Sequence, residues 1–473
     1  IIRILGKRFD FGVQTSIITL KFGIRDEMPK SVIQDAEILL QQARDKSLDT
    51  RRDLRNQLTI TVDPVNARDF DDALSLDIMP DGYRLGVHIA DVSHYVPQGS
   101  MVDREASKRG TSVYLPERAI HMLPEQLATD VCSLRPLEDR LAVTAMIDFD
   151  KEGKIVGGEL FESIIRSDAR LAYGDFLEAS QSQDGDEPNG IAPETAELCR
   201  KLADLCRLLL KQRVSRGVLD LDMPEPFFEL DEEDNIIGIH KKKRSIAEQT
   251  IEEFMIAANI VVAEFLDRKK MPYLRRVHDT PDPSEITELK TALAQLGLEP
   301  PQNPLDPDQV RTLLASIENS AIRAVASQRI LRAMRRAVYS ATQTGHFGLA
   351  LDYYTQFTSP IRRYPDLDVH RSVKAALKLP DYPPPTLEEL VDRSKIMSDY
   401  ERRAQEAEWD AQKIRKIRFM QDKIGNVYDA TVTNVIEFGA YIELDEPFVD
   451  GFIPVAIMDD YFQFDEHLNA LRN

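Results

Sequence analysis

Leu58, Ile60 and Val62 alternate with Thr59 and Thr61, a period of two that predicts a β-strand with one buried face. Leu74, Leu76 and Ile78 repeat the pattern, Pro80-Asp81-Gly82 supplies a turn, and Tyr83, Leu85, Val87 and Ile89 make a third strand, so a β meander is expected here. In the middle of the chain the apolar spacing lengthens to that of helices, predicted over 194–213, 245–268, 284–296, 308–318 and 320–340. Residues 386–423 read as one long, charge-rich helix, set apart by the proline-rich stretch Pro380 to Pro385. After Gly425, Val427, Ala430 and Val432, then Tyr441, Ile442 and Leu444, return to short strands. At the start, Ile2, Ile4, Ile17, Ile18 and Leu20 alternate with polar residues around Gly12, which predicts the last strands of a small β domain. Residues 29–57 are polar and helix-prone, and read as a connecting helix and linker.

At roughly 150 residues per domain, 473 residues suggest about three domains. Hydrophobic residues at 42% and charged residues at 30% fit a folded globular chain rather than a disordered one. Cys132, Cys199 and Cys206 form no CxxC pair, which argues against a zinc ribbon or a redox motif and suits a reducing cytosol. A cytoplasmic location is expected; the chain opens on Ile1 in mid-pattern, reads as a fragment, and leaves an organellar origin open. The most apolar stretch, Phe254 to Ala263, is about half of the roughly 20 residues a membrane span needs, so no membrane partner is expected. A net charge of −20 argues against a polyanionic partner unless positive charge is gathered locally.

Two dense motifs carry chemistry. The first, Asp63-Pro64-Val65-Asn66-Ala67-Arg68-Asp69-Phe70-Asp71-Asp72, joins the first two strands of the meander. Hard divalent cations want oxygen ligands, and carboxylates of this kind can hold an ion used in phosphodiester cleavage. Asp69 and Asp71 share strand parity while Asp72 points elsewhere, which allows convergence on a metal without forcing it; a solvated acidic loop is the alternative. Calcium binding of the EF-hand type fits poorly, since the loop lacks the glycine and the flanking helices.

The second motif is Thr358-Ser359-Pro360-Ile361-Arg362-Arg363-Tyr364-Pro365-Asp366. Arginine forks pair with phosphate oxygens, and the Ser-Pro turn presents Arg362 rigidly. Upstream, Arg329, Arg332 and Arg336 share one helical face, whose simpler reading is a solvated surface. Local arginine in an acidic chain allows a basic channel inside an acidic shell. All eight histidines read as structural or surface residues, and no GxSxG elbow for a serine hydrolase occurs.

These motifs, with Tyr114-Leu115-Pro116, Cys132-Ser133-Leu134, the segment from Ile251 to Asn259 and the run Gly345-His346-Phe347-Gly348, follow one another in an order that resembles the ribonuclease II/ribonuclease R (RNB) exoribonuclease family. The arginine motif is spelled more like ribonuclease R. The resemblance implies an α+β fold, with a mixed sheet wrapped by helices as RNB catalytic domain over residues 51–380. All-β OB-fold domains flank it, both incomplete: residues 1–24 as the end of a cold-shock-type domain and 425–473 as a shortened S1-type domain. Residues 25–50 form the linker and helix, and 381–424 the long helical connector.

Carried over, the family implies that Asp63, Asp69, Asp71 and Asp72 are metal and catalytic carboxylates, with Asp71 the most critical. Arg362 would hold the scissile phosphate, and Arg363 beside it would be RNA-binding. Tyr114 would stack on the 3′-terminal bases, and Tyr173 with one of Glu252 or Glu253 would recognise ribose. Phe438 and Tyr441 are base-stacking candidates in the S1-type domain, against an ordinary barrel-core reading. Where some members carry a clamping phenylalanine, this chain has Leu221, which leaves end-product size open. The implied activity is processive 3′→5′ hydrolysis of single-stranded RNA to nucleoside 5′-monophosphates with one or two Mg²⁺ ions, Mn²⁺ as a substitute, in a monomer; unwinding of structured RNA stays open. A catalytically silent RNA-binding member of the same fold is the second reading, and a DNA exonuclease a weaker third.

Overall fold

The computed structural model describes residues 4–6, 12–44, 48–183, 185, 187–218, 221, 225–231, 235–242, 244–304, 306–458, 460–465 and 470–472. The chain divides into two compact units: Ile1–Arg216 with Arg244–His278 and Ala337–Ala411, and Gly217–Lys243 with Asp279–Arg336 and Gln412–Asn473.

The first unit is built on a seven-stranded mixed sheet. Its strands are β1 (Arg52–Asp53), β2 (Ile60–Asp63), β3 (Asp72–Met79), β4 (Gly82–Ala90), β5 (Asp139–Asp150), β6 (Ile155–Arg166) and β7 (Ala169–Ala172). Their order across the sheet is β1-β6-β5-β4-β3-β2-β7, antiparallel in the middle, with β1 and β7 parallel to their neighbours at the edges. The expected meander is thus β2–β3–β4, and the long hairpin β5–β6 extends it, pairing Asp139 with Arg166 at its open end. Gly82 opens β4 where backbone crosses closely: a Cβ there would lie 1.9 Å from the Phe149 carbonyl oxygen.

Both faces of β4 are buried over its second half, which a sheet achieves only when covered on each side. One core joins Leu74, Leu85 and Val87 to Leu202 of the helix Pro193–Arg216 and Phe254 of the helix Ile246–Arg268. The other joins Phe70 and Ala90 to Met122, Ile361 and Tyr364. The helix Ile246–Arg268 starts at a capping box in which the Ser245 N–H donates to Glu248 Oε2 at 3.0 Å. All residues of the helix Tyr364–Ala376 are buried, charged ones included, and these are paired: Arg371 with Asp103 at 2.7 Å and Lys374 with Asp91 at 2.7 Å.

The second unit contains the helices Pro283–Gln295, Pro307–Ser316 and Ser320–Ala333 around Leu289, Leu293 and Ile330, and a three-stranded sheet of Ala430–Ile436, Gly439–Leu444 and Asp450–Pro454. The long helix is Leu387–Gln421. Among the described residues no helix is long and apolar enough to cross a membrane.

Two expectations are corrected. Val13–Lys21 is a helix, so the strands read around Ile17, Ile18 and Leu20 do not exist, and the β-domain reading of 1–24 fails over its described part. The run is rich in β-branched residues, hence its strand-like look, but Thr15, Ile18 and Thr19 bury one helical face, and packing overrides propensity. Residues 1–3 and 7–11, including Ile2, lie outside the described residues. The helix predicted over 320–340 ends at Ala333: Met334 is extended, and Val338–Ser340 pairs antiparallel with Arg275–Val277.

Candidate active site

Asp63 ends β2 and Asp72 begins β3, and the two strands pair only at Ile60–Leu74 before parting. The acidic loop spans that gap. Phe70 pins it: its N–H donates to Ser133 Oγ at 3.0 Å, its carbonyl accepts from the Leu134 N–H at 2.9 Å, and its ring is buried. Arg170 of β7 donates to the Pro64 and Val65 carbonyls at 2.5 and 2.9 Å. The loop is therefore held on both sides, with its aspartates turned to a cavity of about 480 Å³.

Asp63, Asp69, Asp71, Asp72, Tyr114, Tyr173, Glu252 and Arg362 all border this cavity. The two motifs meet at Asp71: its Oδ1 accepts the Ile361 N–H at 2.8 Å, and its Oδ2 lies 3.3 Å from Arg362 Nε. The Tyr114 hydroxyl donates to Asp69 Oδ2 at 2.5 Å. Tyr173 opens the helix Tyr173–Gln181.

Burial, followed by the charges of Asp72 and Asp71, pushes the Asp63 carboxyl up to about 8. Burial pushes Asp72 up to about 6, against the pull of Arg362 and Arg363. Asp71 is held well above the ordinary carboxylate range by burial, which Arg362 and the Ile361 N–H oppose. Asp63 Oδ2 and Asp71 Oδ2 are buried and accept no hydrogen bond. Crowded carboxylates with buried oxygens that accept no hydrogen bond fit a hard cation. Among the described residues no group of three or more His, Cys, Asp or Glu side chains is arranged to hold a metal ion by itself.

The adjacent pairs separate. Glu253 is buried and takes a hydrogen bond from Arg213 Nη1 at 2.5 Å, while Glu252 lines the cavity and is also paired with Arg213 and Arg244. Arg362 faces Asp71; both Nε and Nη2 of Arg363 donate to Asp366, at 3.0 and 2.7 Å. Leu221 packs in the leucine core of the second unit, and Leu219, Asp220 and Asp222 beside it lie outside the described residues. In the second unit Phe438 lies in the turn that joins Ala430–Ile436 to Gly439–Leu444, and Tyr441 lies in the latter strand; both are exposed, with Tyr441 4.9 Å from the Phe452 ring. Of the upstream arginines, Arg329 donates to Asn434 Oδ1 at 2.7 Å and Arg335 pairs with Asp282. His88 is a core residue between Ser75 and Thr144.

Other site residues emerge only from the structure. Glu408, on the long helix, accepts the Tyr114 N–H at 2.8 Å. Asn259 holds the Phe357 N–H at 2.8 Å, and Gln356 accepts the Tyr339 hydroxyl at 2.6 Å; both line the cavity. Asn259 stood inside a family-like segment, but Glu408 was one acid among many in a charged helix.

Residues 51–379 match the RNB domain family and residues 421–468 the S1 RNA binding domain. The chain is 39% identical to ribonuclease R of Thermotoga maritima over 486 aligned residues, covering 100% of this chain and 67% of that protein. It resembles the structure of Mycoplasma genitalium RNase R in complex with ribose-methylated single-stranded RNA, with a TM-score of 0.87 and 30% identity, over 99% of this chain and 74% of that one. Yeast Ssd1, a pseudonuclease, shares the fold at a TM-score of 0.76 and 20% identity, over 99% of this chain and 58% of that one. With its acidic loop, arginine turn and Tyr114 gathered in one cavity, and with these matches, the chain belongs to the ribonuclease II/ribonuclease R (RNB) exoribonuclease family, on its ribonuclease R side.

Proposed function

We propose that the protein is a processive 3′→5′ exoribonuclease that hydrolyses single-stranded RNA to nucleoside 5′-monophosphates. The observation that carries this reading is the meeting of Asp71 with Arg362 and the Ile361 N–H in the cavity that Tyr114 borders. A phosphate beside Arg362 would be neutralised by a guanidinium whose backbone is fixed, since the Arg362 carbonyl accepts the Ser112 N–H at 2.8 Å. Tyr114, half-exposed and anchored through its hydroxyl, offers a ring face to the terminal base. Tyr173 and Glu252 flank the cavity with a hydroxyl and a carboxylate suited to a ribose 2′-OH, the group that marks RNA. In the reaction a water oxygen bonds to phosphorus, the P–O3′ bond breaks, and the 3′ oxygen leaves as a hydroxyl. Asp71, locked by the Ile361 N–H, is placed to orient that water.

Asp63, Asp69, Asp71 and Asp72 would hold Mg²⁺, which when bound supplies Lewis acidity at the phosphate and lowers the pKa of its water. Phe438 and Tyr441 would stack on bases further along the strand.

The second reading, a silent RNA binder, draws on the likeness to a pseudonuclease, a likeness of fold alone. This chain retains all four aspartates and Arg362, which favours the enzyme. The test is a 5′-labelled single-stranded RNA and its DNA twin, incubated with Mg²⁺ or EDTA. Mg²⁺-dependent stepwise shortening of RNA alone, with 5′-monophosphates released, is the expected result; tight RNA binding without cleavage would favour the silent reading.

A further inference from the structure

We propose that Ser359 is a positioning residue for Arg362, its hydroxyl setting which edge of the guanidinium is presented to the reacting phosphate. This rests on the phosphodiester-hydrolase reading above.

An arginine carries five N–H donors in a planar fork. Here Nη2 donates to Ser359 Oγ at 2.8 Å, and Nε lies 3.3 Å from Asp71 Oδ2. Nε and Nη2 share one edge of the fork, so the protein occupies that edge. The end formed by Nη1 and the second hydrogen of Nη2 is left for a ligand, and the side chain is 43% exposed at the cavity. A phosphate can then be held bidentately by that end without displacing Asp71.

Ser359 is itself fixed. It is buried, its N–H donates to Asp366 Oδ1 at 2.9 Å, and its carbonyl accepts the Arg363 N–H at 2.9 Å. The Arg362 carbonyl is held by the Ser112 N–H and by Thr111 Oγ1 at 3.0 Å, two and three residues ahead of Tyr114. With main chain fixed at both residues, the freedom left to Arg362 is in its side-chain torsions, and the Ser359 hydroxyl restricts those. Without it, Nη2 is free to join Nε on Asp71 Oδ2, which would turn the open end away from the phosphate. The same backbone bridge ties Arg362 to the Tyr114 hairpin, so the position of the guanidinium is set relative to the stacked base as well.

The test is a double-mutant cycle of S359A and R362A, followed by single-turnover hydrolysis of a single-stranded RNA with enzyme in excess, and by kcat and KM for S359A. Alanine keeps the backbone bonds of Ser359, and an unchanged thermal midpoint verifies the fold. The expected result is a kcat lowered about 10-fold in S359A, as for loss of one charge-assisted hydrogen bond, with KM within about twofold. In the R362A background S359A then has no further effect. An equal loss in both backgrounds, an unchanged kcat in S359A, or a raised KM alone would overturn the proposal. If the wild type cleaves no RNA, it is the exoribonuclease reading that fails; the same cycle is then read in RNA affinity, where additivity of the two substitutions overturns the positioning role.

Discussion

Replacing Arg213 with Met tests how the structure divides Glu252 from Glu253. Arg213 and Glu253 form an ion pair at 2.5 Å with side-chain exposures of 12% and 3%, whereas Glu252 is 38% exposed. Methionine keeps much of the apolar stem but leaves the Glu253 carboxylate buried without its main partner. Breaking a buried pair by removing one member costs about 3–5 kcal/mol. Arg216 also lies in the field of Glu253, so the lower end, about 3 kcal/mol, is expected. At about 2–4 °C per kcal/mol this lowers the thermal midpoint by roughly 6–12 °C. Adding E253Q to R213M removes the stranded charge and should recover at least half of the loss, while adding E252Q should recover little, because water already solvates Glu252. On RNA the pattern inverts: E252Q alone raises KM with little loss of stability. The assay is thermal unfolding of the single and double variants beside steady-state hydrolysis. A midpoint change under about 2 °C for R213M, below 1 kcal/mol, would refute the reasoning, as would equal rescue by E252Q and E253Q.

Other expectations follow from the same geometry. Burial holds His88 at about 3, against 6.5 when unfolded, so its contribution is present above pH 6.5 and is lost as pH falls towards 3. The stability advantage of wild type over H88Q should therefore shrink by about 1.4 kcal/mol per pH unit below 6.5 in urea titrations; a difference flat from pH 7 to 5 would contradict this. Y114A should end digestion on a longer labelled fragment, since base stacking on an aromatic is worth about 1–3 kcal/mol. Y114F keeps the ring, loses only the bond to Asp69, and should leave fragment length unchanged; sequencing-gel end points decide between them.

The meander and its acidic loop were legible because their information is local. Alternation at 58–62 and 74–78 sets two strands, and carboxylates between them must lie at one sheet end. The helix 246–268 was legible through its apolar spacing. What the sequence could not show was set by contacts between distant segments. Arg362 and Arg363 are chemically equivalent in the chain and both border the cavity; only the turn at Ser359 and the partner Asp366 leave one half-exposed beside Asp71 and tie the other into a buried pair. Glu252 and Glu253 both pair with Arg213 but divide by helix face, Glu253 turned into the core and Glu252 to the cavity, which depends on how the helix is packed. Glu408 meets Tyr114 across 294 residues of sequence, with nothing local to mark it. The helix Val13–Lys21 failed in the other direction: β-branched residues signalled a strand, and burial of Ile18 and its neighbours decided otherwise.

The central claim is that Asp71, held by the Ile361 N–H and facing Arg362, serves phosphodiester hydrolysis of RNA. The direct measurement follows a 5′-labelled single-stranded RNA with wild type and D71N, each with Mg²⁺ and with EDTA, alongside RNA affinity. Asparagine preserves the oxygen that accepts the Ile361 N–H, so the loop should keep its shape. The account predicts stepwise cleavage by wild type with Mg²⁺ only, a loss of at least about a thousandfold in D71N, and RNA affinity within a few fold of wild type. Full activity in D71N, or cleavage by wild type that persists in EDTA, would contradict it.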